Sequence, residues 1–368
     1  MTTLIANEDE VMLRDAARGF LDGAGAIRNL RENREAGRGY DPKLWSEMVE
    51  MGWAGVLVSE EQGGSGMGFA AANILAEEMG KTLVSSPFLS TAVIAATALR
   101  TAGRDASAIA SGAATYALAI DEGPKFNPEA TALTAEAHGN GFKLSGTKTF
   151  VAEGMSANRV LVLAKAEAGL TLFDIDAEVT GLTREKLELV DYRDHADLLF
   201  DNVEVTGEDV VGQVGDGMGA LGTALRAGQA AVSAELLGVS AGAFGMTTGY
   251  LKERKQFGVV IGTFQALQHR AAHLFSEIEV TTSAIMNAGR MLDEEPDAAD
   301  LAVSVAKARA TETASLAVRE GVQMHGGIGM TDEYDMGFYM KRARVASEWL
   351  GDYGYHAARV ARIRGMAA

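Results

Sequence analysis

Residues 253–269 read ERKQFGVVIGTFQALQH. The stretch starts as a charged helix end, breaks at Gly258, crosses a short apolar loop and begins a second helix rich in glutamine. Upstream, Leu221, Leu225, Val232, Leu236, Val239, Ala243, Met246 and Tyr250 recur mostly at spacings of three and four, which predicts one long helix ending here. A cation such as Arg254 suits a helix C-terminus. Gly258 suits the position just past one. Yet the full pattern RxxFGxxxGxFQxxQ fixes more residues than a helix end requires. Further on, QMHGGIGM (323–330) ends a later helix in paired glycines, which let a backbone approach a phosphate or a ring.

Outward from these two stretches the chain divides into three parts. Residues 1–112 predict a helical domain. Val11, Leu13, Ala16, Phe20 and Leu21 recur at roughly helical spacing, and Asp41-Pro42 marks the start of a helix over 42–51. GGSGMG (63–68) separates it from a second helix over 69–79, and Ser85-Ser86-Pro87 breaks the pattern again. Residues 113–214 predict an antiparallel β domain. Tyr116, Leu118 and Ile120 alternate with small residues, Asn140-Gly141 signals a hairpin, and RVLVLAKA, LTLFDI and DLLFDNVEV read as strands. Residues 215–368 predict a helical bundle. Gly215–Gly219 reads as a flexible joint, followed by the long helix and by helices over about 262–293, 297–325 and 335–365. The class is α+β, multidomain, and such a three-part chain buries its remaining faces by oligomerising.

Composition excludes several functions. Acids outnumber bases 50 to 33, giving a net charge of -17, which disfavours nucleic acid as a partner. No run approaches the ~18 apolar residues of a membrane span, and the acidic start MTTLIANEDEVMLRD is unlike a signal peptide. The absence of cysteine removes disulfides and thiolate metal sites, and the simplest address is the cytoplasm. GGSGMG fits no GxGxxG register and follows no βαβ strand, so a glycine turn explains it. His269 and His273 lie at i,i+4 with Glu277 a turn further, ~12 Å from the first along the axis, too far for all three to share one ion. No GxSxG elbow is present.

Taken together, four segments resemble the acyl-CoA dehydrogenase family: GWAGVLVSEEQGGSGMGFAAANILAEEMG (52–80), GFKLSGTKTFV (141–151), RKQFGVVIGTFQALQHRAAHL (254–274) and QMHGGIGMTDEYDMGFYMKRA (323–343). The resemblance spans nearly the whole chain. It implies helical, β and helical domains packed as a tetramer, and non-covalent FAD. It also implies oxidation of an acyl-CoA thioester: a carboxylate removes the α-proton and the β-hydrogen leaves as hydride. An electron-transfer flavoprotein is the acceptor it implies. Residues matching the family's RxxFG and QxxGG signatures bind the adenosine and pyrophosphate part of a neighbour's FAD. Here these are Arg254, Phe257, Gln265, Gln323, Gly326 and Gly327.

Elsewhere the chain departs from the family pattern. AIDEGPKFNPEA (119–130) replaces a Thr-Glu-Pro motif, and Phe150, Val151 and Ala152 replace Trp-Ile-Thr on the flavin ring. The family's glutamate lies 24 residues after the first glycine of its GGxG, where this chain has Leu350, or 26 before the arginine, where it has Gly228. Asp352, Glu348 and Glu235 are the nearby acids, with Asp352 as the candidate base; their structural alternatives are a helix cap for Asp352 and a buried ion pair for Glu235. Two functions follow. One is an acyl-CoA dehydrogenase with a relocated base, acting on a fatty acyl or steroid side chain. The other is a non-catalytic partner in a heterotetramer, completing the FAD site of a catalytic paralogue.

Overall fold

The computed structural model describes residues 5–366. In chain order the helices are α1 (Glu8–Ala24), α2 (Ala26–Ala36), α3 (Pro42–Glu50), α4 (Phe69–Thr82), α5 (Ala96–Thr101) and α6 (Ser107–Ala110). The strands β1 (Tyr116–Ala119), β2 (Thr134–His138), β3 (Gly141–Ala152), β4 (Arg159–Ala166), β5 (Gly169–Asp176), β6 (Leu182–Lys186), β7 (His195–Thr206) and β8 (Val210–Val211) follow. Then come α7 (Gly217–Glu253), the short strands β9 (Lys255–Gln256) and β10 (Val259–Val260), α8 (Gln265–Glu294), α9 (Asp300–His325), α10 (Met336–Glu348) and α11 (Tyr353–Ile363). These elements form two compact units. One is assembled from the chain up to Leu30, Phe69–Val84 and everything from Gln229 onward; the other comprises Arg31–Gly68 and Ser85–Gly228.

In the first unit, antiparallel α8 and α9 pack along their length, and α4 lies against α1 and α8. Backbones approach closely where glycine allows it. A Cβ on Gly238 would sit 2.0 Å from the carbonyl oxygen of Glu77, and one on Gly80 would sit 2.2 Å from that of Glu235. By length and composition α7 could cross a membrane, contrary to the expectation from sequence, but 72% of its most apolar window is buried inside the protein.

The second unit is centred on one sheet, ordered β6-β7-β3-β2-β4-β5-β8 with β1 beside β4. Its core includes Leu144, Val160, Val162, Phe173, Leu198 and Val203. Three expectations from sequence need correction. The sheet is mixed, because β1 and β2 both pair parallel with β4. The hairpin turn falls at Gly139-Asn140, one residue early, since His138 pairs with Gly141 and Gly139 supplies the left-handed backbone. The joint at 215–219 is tightly packed: a Cβ on Gly215 would lie 2.6 Å from the Ala168 carbonyl oxygen, and one on Gly217 2.7 Å from the Leu172 amide.

Candidate functional site

α7 ends, α8 starts and α9 ends at one pole of the first unit. The Arg270 guanidinium of α8 donates to Glu320 of α9, with one bond of 3.0 Å. Tyr250 at the end of α7, His325 at the end of α9 and Tyr334 just beyond form a ring cluster, with His325 centred 4.5 and 4.8 Å from the two tyrosines. The His325 Nδ1–H donates to the Gly321 carbonyl at 2.7 Å. The fold therefore brings the segments carrying Arg254, Phe257, Gln265, Gln323, Gly326 and Gly327 to the same end of the helices. All six residues are exposed.

A two-stranded hairpin, β9–β10, projects from this pole. Its two turn residues, Phe257 and Gly258, have φ of 55° and 80°. Left-handed backbone at both positions is the tight turn that right-twisted strands require. Glycine adopts it freely; for phenylalanine it costs about 1–2 kcal/mol. The Phe257 side chain is 89% exposed and meets Phe264 edge-on, with ring centroids 6.2 Å apart. Phe264 is also the N-cap of α8 and brings no side-chain oxygen to cap it. An uncapped helix start close in sequence to an exposed arginine suits an anion. Backbone at Gly326 and Gly327 is open, with no heavy atom within 4 Å of a Cβ at either position.

The usual base position tells a different story. The last helix expected from sequence is split at 349–352. Leu350 there is 1% exposed and left-handed, with φ of 57°. Its carbonyl accepts from Gln229 Nε2 at 3.1 Å and faces His356 Nε2 at 3.1 Å. Lys307 is fully buried and donates to the carbonyls of Ala346, Ser347 and Gly351 at 3.2, 2.9 and 3.0 Å. Burial pushes its ammonium down to about 7, against the pull of Glu348, Asp352 and Glu235. A polar cradle thus surrounds a leucine. Sequence reading missed Lys307, although Val303, Ala306, Ala310 and Ala314 put it on an apolar helix face.

The acids near this loop have structural partners. Asp352 is the N-cap of α11, accepting the Tyr355 amide at 2.8 Å. Glu348 pairs with Arg344 at 2.7 Å, and Glu235, 4% exposed, with Arg342 at 2.9 Å. Asp352→Asn is expected to keep the cap, and to keep turnover in any preparation where the wild type has it, since Asn caps as well as Asp, whereas Asp352→Ala costs about 0.5–2 kcal/mol. Thermal unfolding and an activity assay of both variants check this. Complete loss of turnover in Asp352→Asn would instead make it the base.

Burial also pushes His356 down to about 3, helped by the Lys307 charge. Its folded value lies below its unfolded one, so its contribution to stability is present above the ordinary histidine range. That contribution is lost as pH falls toward about 3. The stability difference between wild type and His356→Gln is therefore expected to shrink between about pH 7 and about pH 4. Urea titrations at the two pH values measure it, and a constant difference would contradict it.

In the second unit, β3 ends in Phe150, Val151 and Ala152. A bulge between Lys148 and Val151 puts Phe150 in left-handed backbone, 47% exposed. Asp197 accepts from the Thr149 hydroxyl and the Phe150 amide. Buried Lys148 donates to Glu122 at 2.7 Å and to the Ile120 carbonyl at 3.2 Å. The neighbouring Asp121, whose carbonyl accepts from the Thr149 amide at 2.8 Å, has a buried Oδ1 with no hydrogen-bond partner. Burial raises its carboxyl to about 6. Sequence reading marked this segment as altered without singling out Asp121.

Among the described residues, no cluster of His, Asp and Glu is arranged to hold a metal. His273 pairs with Glu277 at 3.8 Å on the surface, as a polar helix face.

Two family models match the chain: the acyl-CoA dehydrogenase N-terminal domain over residues 7–108 and the C-terminal domain over 215–364. Acyl-CoA dehydrogenase IpdE2 of Mycolicibacterium smegmatis is 30% identical over 351 residues, covering 94% of this chain and 95% of the relative. Acyl-CoA dehydrogenase FadE12 of Mycobacterium tuberculosis is 29% identical over 362 residues, covering 94% and 93%. Among solved structures, a variant of the Tcur3481-Tcur3483 steroid ACAD superposes with a TM-score of 0.89 at 31% identity, covering 100% of both chains.

Proposed function

We propose a function that proceeds from this membership: the chain belongs to the acyl-CoA dehydrogenase family, and it serves FAD-dependent α,β-dehydrogenation of acyl-CoA thioesters. Within that reaction its part is to complete the FAD site of a neighbouring subunit while another chain supplies the base. One contrast carries this reading. The signature residues face outward at one pole, whereas positions 228 and 350 hold a glycine and a buried leucine. A two-part assembly is in keeping with the paired name of the 31%-identical Tcur3481-Tcur3483 relative.

The residues present fit the adenosine-pyrophosphate portion of FAD. Arg254 offers a fork of N–H donors for two phosphate oxygens. The first-turn amides of α8 add donors, and the open backbone at Gly326-Gly327 allows close approach. Phe257 presents a flat apolar face to a neighbour's surface. When bound, FAD supplies the group that accepts hydride. Arg254 and residues 323–327 would hold it, and positions 228 and 350 offer no carboxylate to take the substrate proton. In an assembled complex, Arg254→Ala is expected to weaken FAD retention by about 10- to 150-fold, the worth of a hydrogen bond to a charged group. Equilibrium dialysis of FAD measures this, and undiminished retention would refute the role.

Asp121 favours a second reading, in which the chain catalyses alone. An unpartnered carboxyl raised to about 6 is the kind of group a general base requires. If the isolated chain turns over and Asp121→Asn abolishes that turnover, this second reading replaces the first.

A further inference from the structure

Between α1, α4, α7 and α8 the first unit holds a cavity of about 430 Å³. Ligand pockets span ~300–1,000 Å³. Ile74, Leu237, Ile278 and Ile285 give it an apolar wall. In that wall stands Asn73, 6% exposed, with an Nδ2 that has no hydrogen-bond partner. Arg290, on the same lining, has a buried Nη1 without one. Buried donors are almost always satisfied, so two in one wall require an explanation. Gly289 lets the Asn73 amide pack against its helix: a Cβ there would sit 2.9 Å from Asn73 Nδ2.

Of the acids around the cavity, Glu279 is exposed at the rim and those on the buried side are already engaged. Glu10 pairs with Arg290 at 3.1 Å and Glu77 with Arg14 at 2.7 Å. Glu78, buried behind, is held by Arg14 and Lys81, each at 2.9 Å. The polar capacity left over on the buried side is therefore for donation. A ligand must bring an acceptor head and an apolar body. The site is also distinct from the pole of α8 that carries Gln265, since Ile278, its nearest lining residue on that helix, lies ~20 Å along it at 1.5 Å per residue.

We propose that this cavity binds a small amphipathic carboxylate, its head accepting from Asn73 and Arg290 and its alkyl tail lying against the isoleucines. Octanoate is the probe, with octan-1-ol as the control lacking the charged head, titrated calorimetrically into the purified chain with and without FAD. Octanoate is expected to bind saturably, with octan-1-ol weaker. Asn73→Leu, which removes the donor and fills the space, is expected to weaken octanoate by about tenfold or more. Asn73→Ala removes the donor alone and decides the matter if the leucine variant does not fold. Absence of saturable binding, equal binding of octan-1-ol, or unchanged affinity in a folded Asn73 variant overturns the site. The last outcome would mean that octanoate binds elsewhere, including any acyl site, so failure here is separable from failure of the proposed function.

Discussion

Replacing Arg342 with methionine is expected to destabilise the folded chain by about 3–5 kcal/mol, the cost of breaking a buried ion pair from one side. Arg342 is 1% exposed. Its Nη1 donates to Glu235 at 2.9 Å and to the Val84 carbonyl at 3.0 Å, and Nη2 reaches the Leu83 carbonyl at 3.4 Å. Leu83 is left-handed, with φ of 57°, just past the end of α4. The guanidinium therefore satisfies carbonyls where that helix stops and neutralises a carboxylate on α7. Methionine would take the guanidinium away from buried Glu235 and leave two carbonyls short of a donor. The double variant Arg342→Met/Glu235→Leu is expected to lose much less than the sum of the singles, because both halves of the ion pair are then removed together. Urea unfolding of the three variants tests this. A loss below about 1 kcal/mol for Arg342→Met would show that the pair is dispensable. The same cycle bears on catalysis: Glu235 belongs to a structural pair, so Glu235→Gln is expected to alter stability and leave the pH profile of any turnover in place.

The second large effect is on rate. A positioned general base contributes about 10²–10⁴-fold. The isolated chain is expected to fall short of the same chain assembled with a glutamate-bearing paralogue by about that factor. The physical reason lies in four side chains. Leu350 has no atom that accepts a proton, Asp352 caps α11, Glu348 pairs with Arg344 and Glu235 with Arg342. Acyl-CoA-dependent reduction of an artificial acceptor by the two preparations measures the difference. Equal rates per chain would mean that this chain carries its own base, and Asp121 would be the first residue to replace.

Much of the fold was legible because periodicity is local. The shift from helical spacing to alternation near residue 113 and back near 217 marks elements that the structure contains. What escaped was set by contacts distant in sequence. Parallel pairing of β1 with β4 leaves no trace in the alternation of either strand. Asn140-Gly141 signalled a hairpin, but its turn sits one residue earlier, because β2 and β3 pair from His138 and Gly141. The break at 349–352 was hidden because leucine in left-handed backbone acts against its own preference. Residues 1–112, 113–214 and 215–368 read as consecutive segments, whereas the compact units interleave, since glycines on α4 and α7 let distant segments pack closely.

For the site, the two signatures were legible as motifs, and the structure gathers them at one pole. The cradle around Leu350 was not. Lys307 and Arg342 are charged residues in helical sequence, and charge by itself argues for a solvated position even where, as at Lys307, the flanking apolar residues argue for a buried face. Their burial depends on carbonyls contributed by segments far away in the chain.

On the proposed reading, this chain holds part of a neighbour's FAD without supplying the base. The most direct measurement is FAD per chain by visible absorbance, for the chain purified alone and after co-expression with a glutamate-bearing paralogue. The chain alone is expected to be colourless or nearly so, and the mixed assembly to carry bound FAD that is lost when Arg254 is replaced by alanine. A chain that purifies alone with one FAD per subunit and oxidises acyl-CoA would contradict the account.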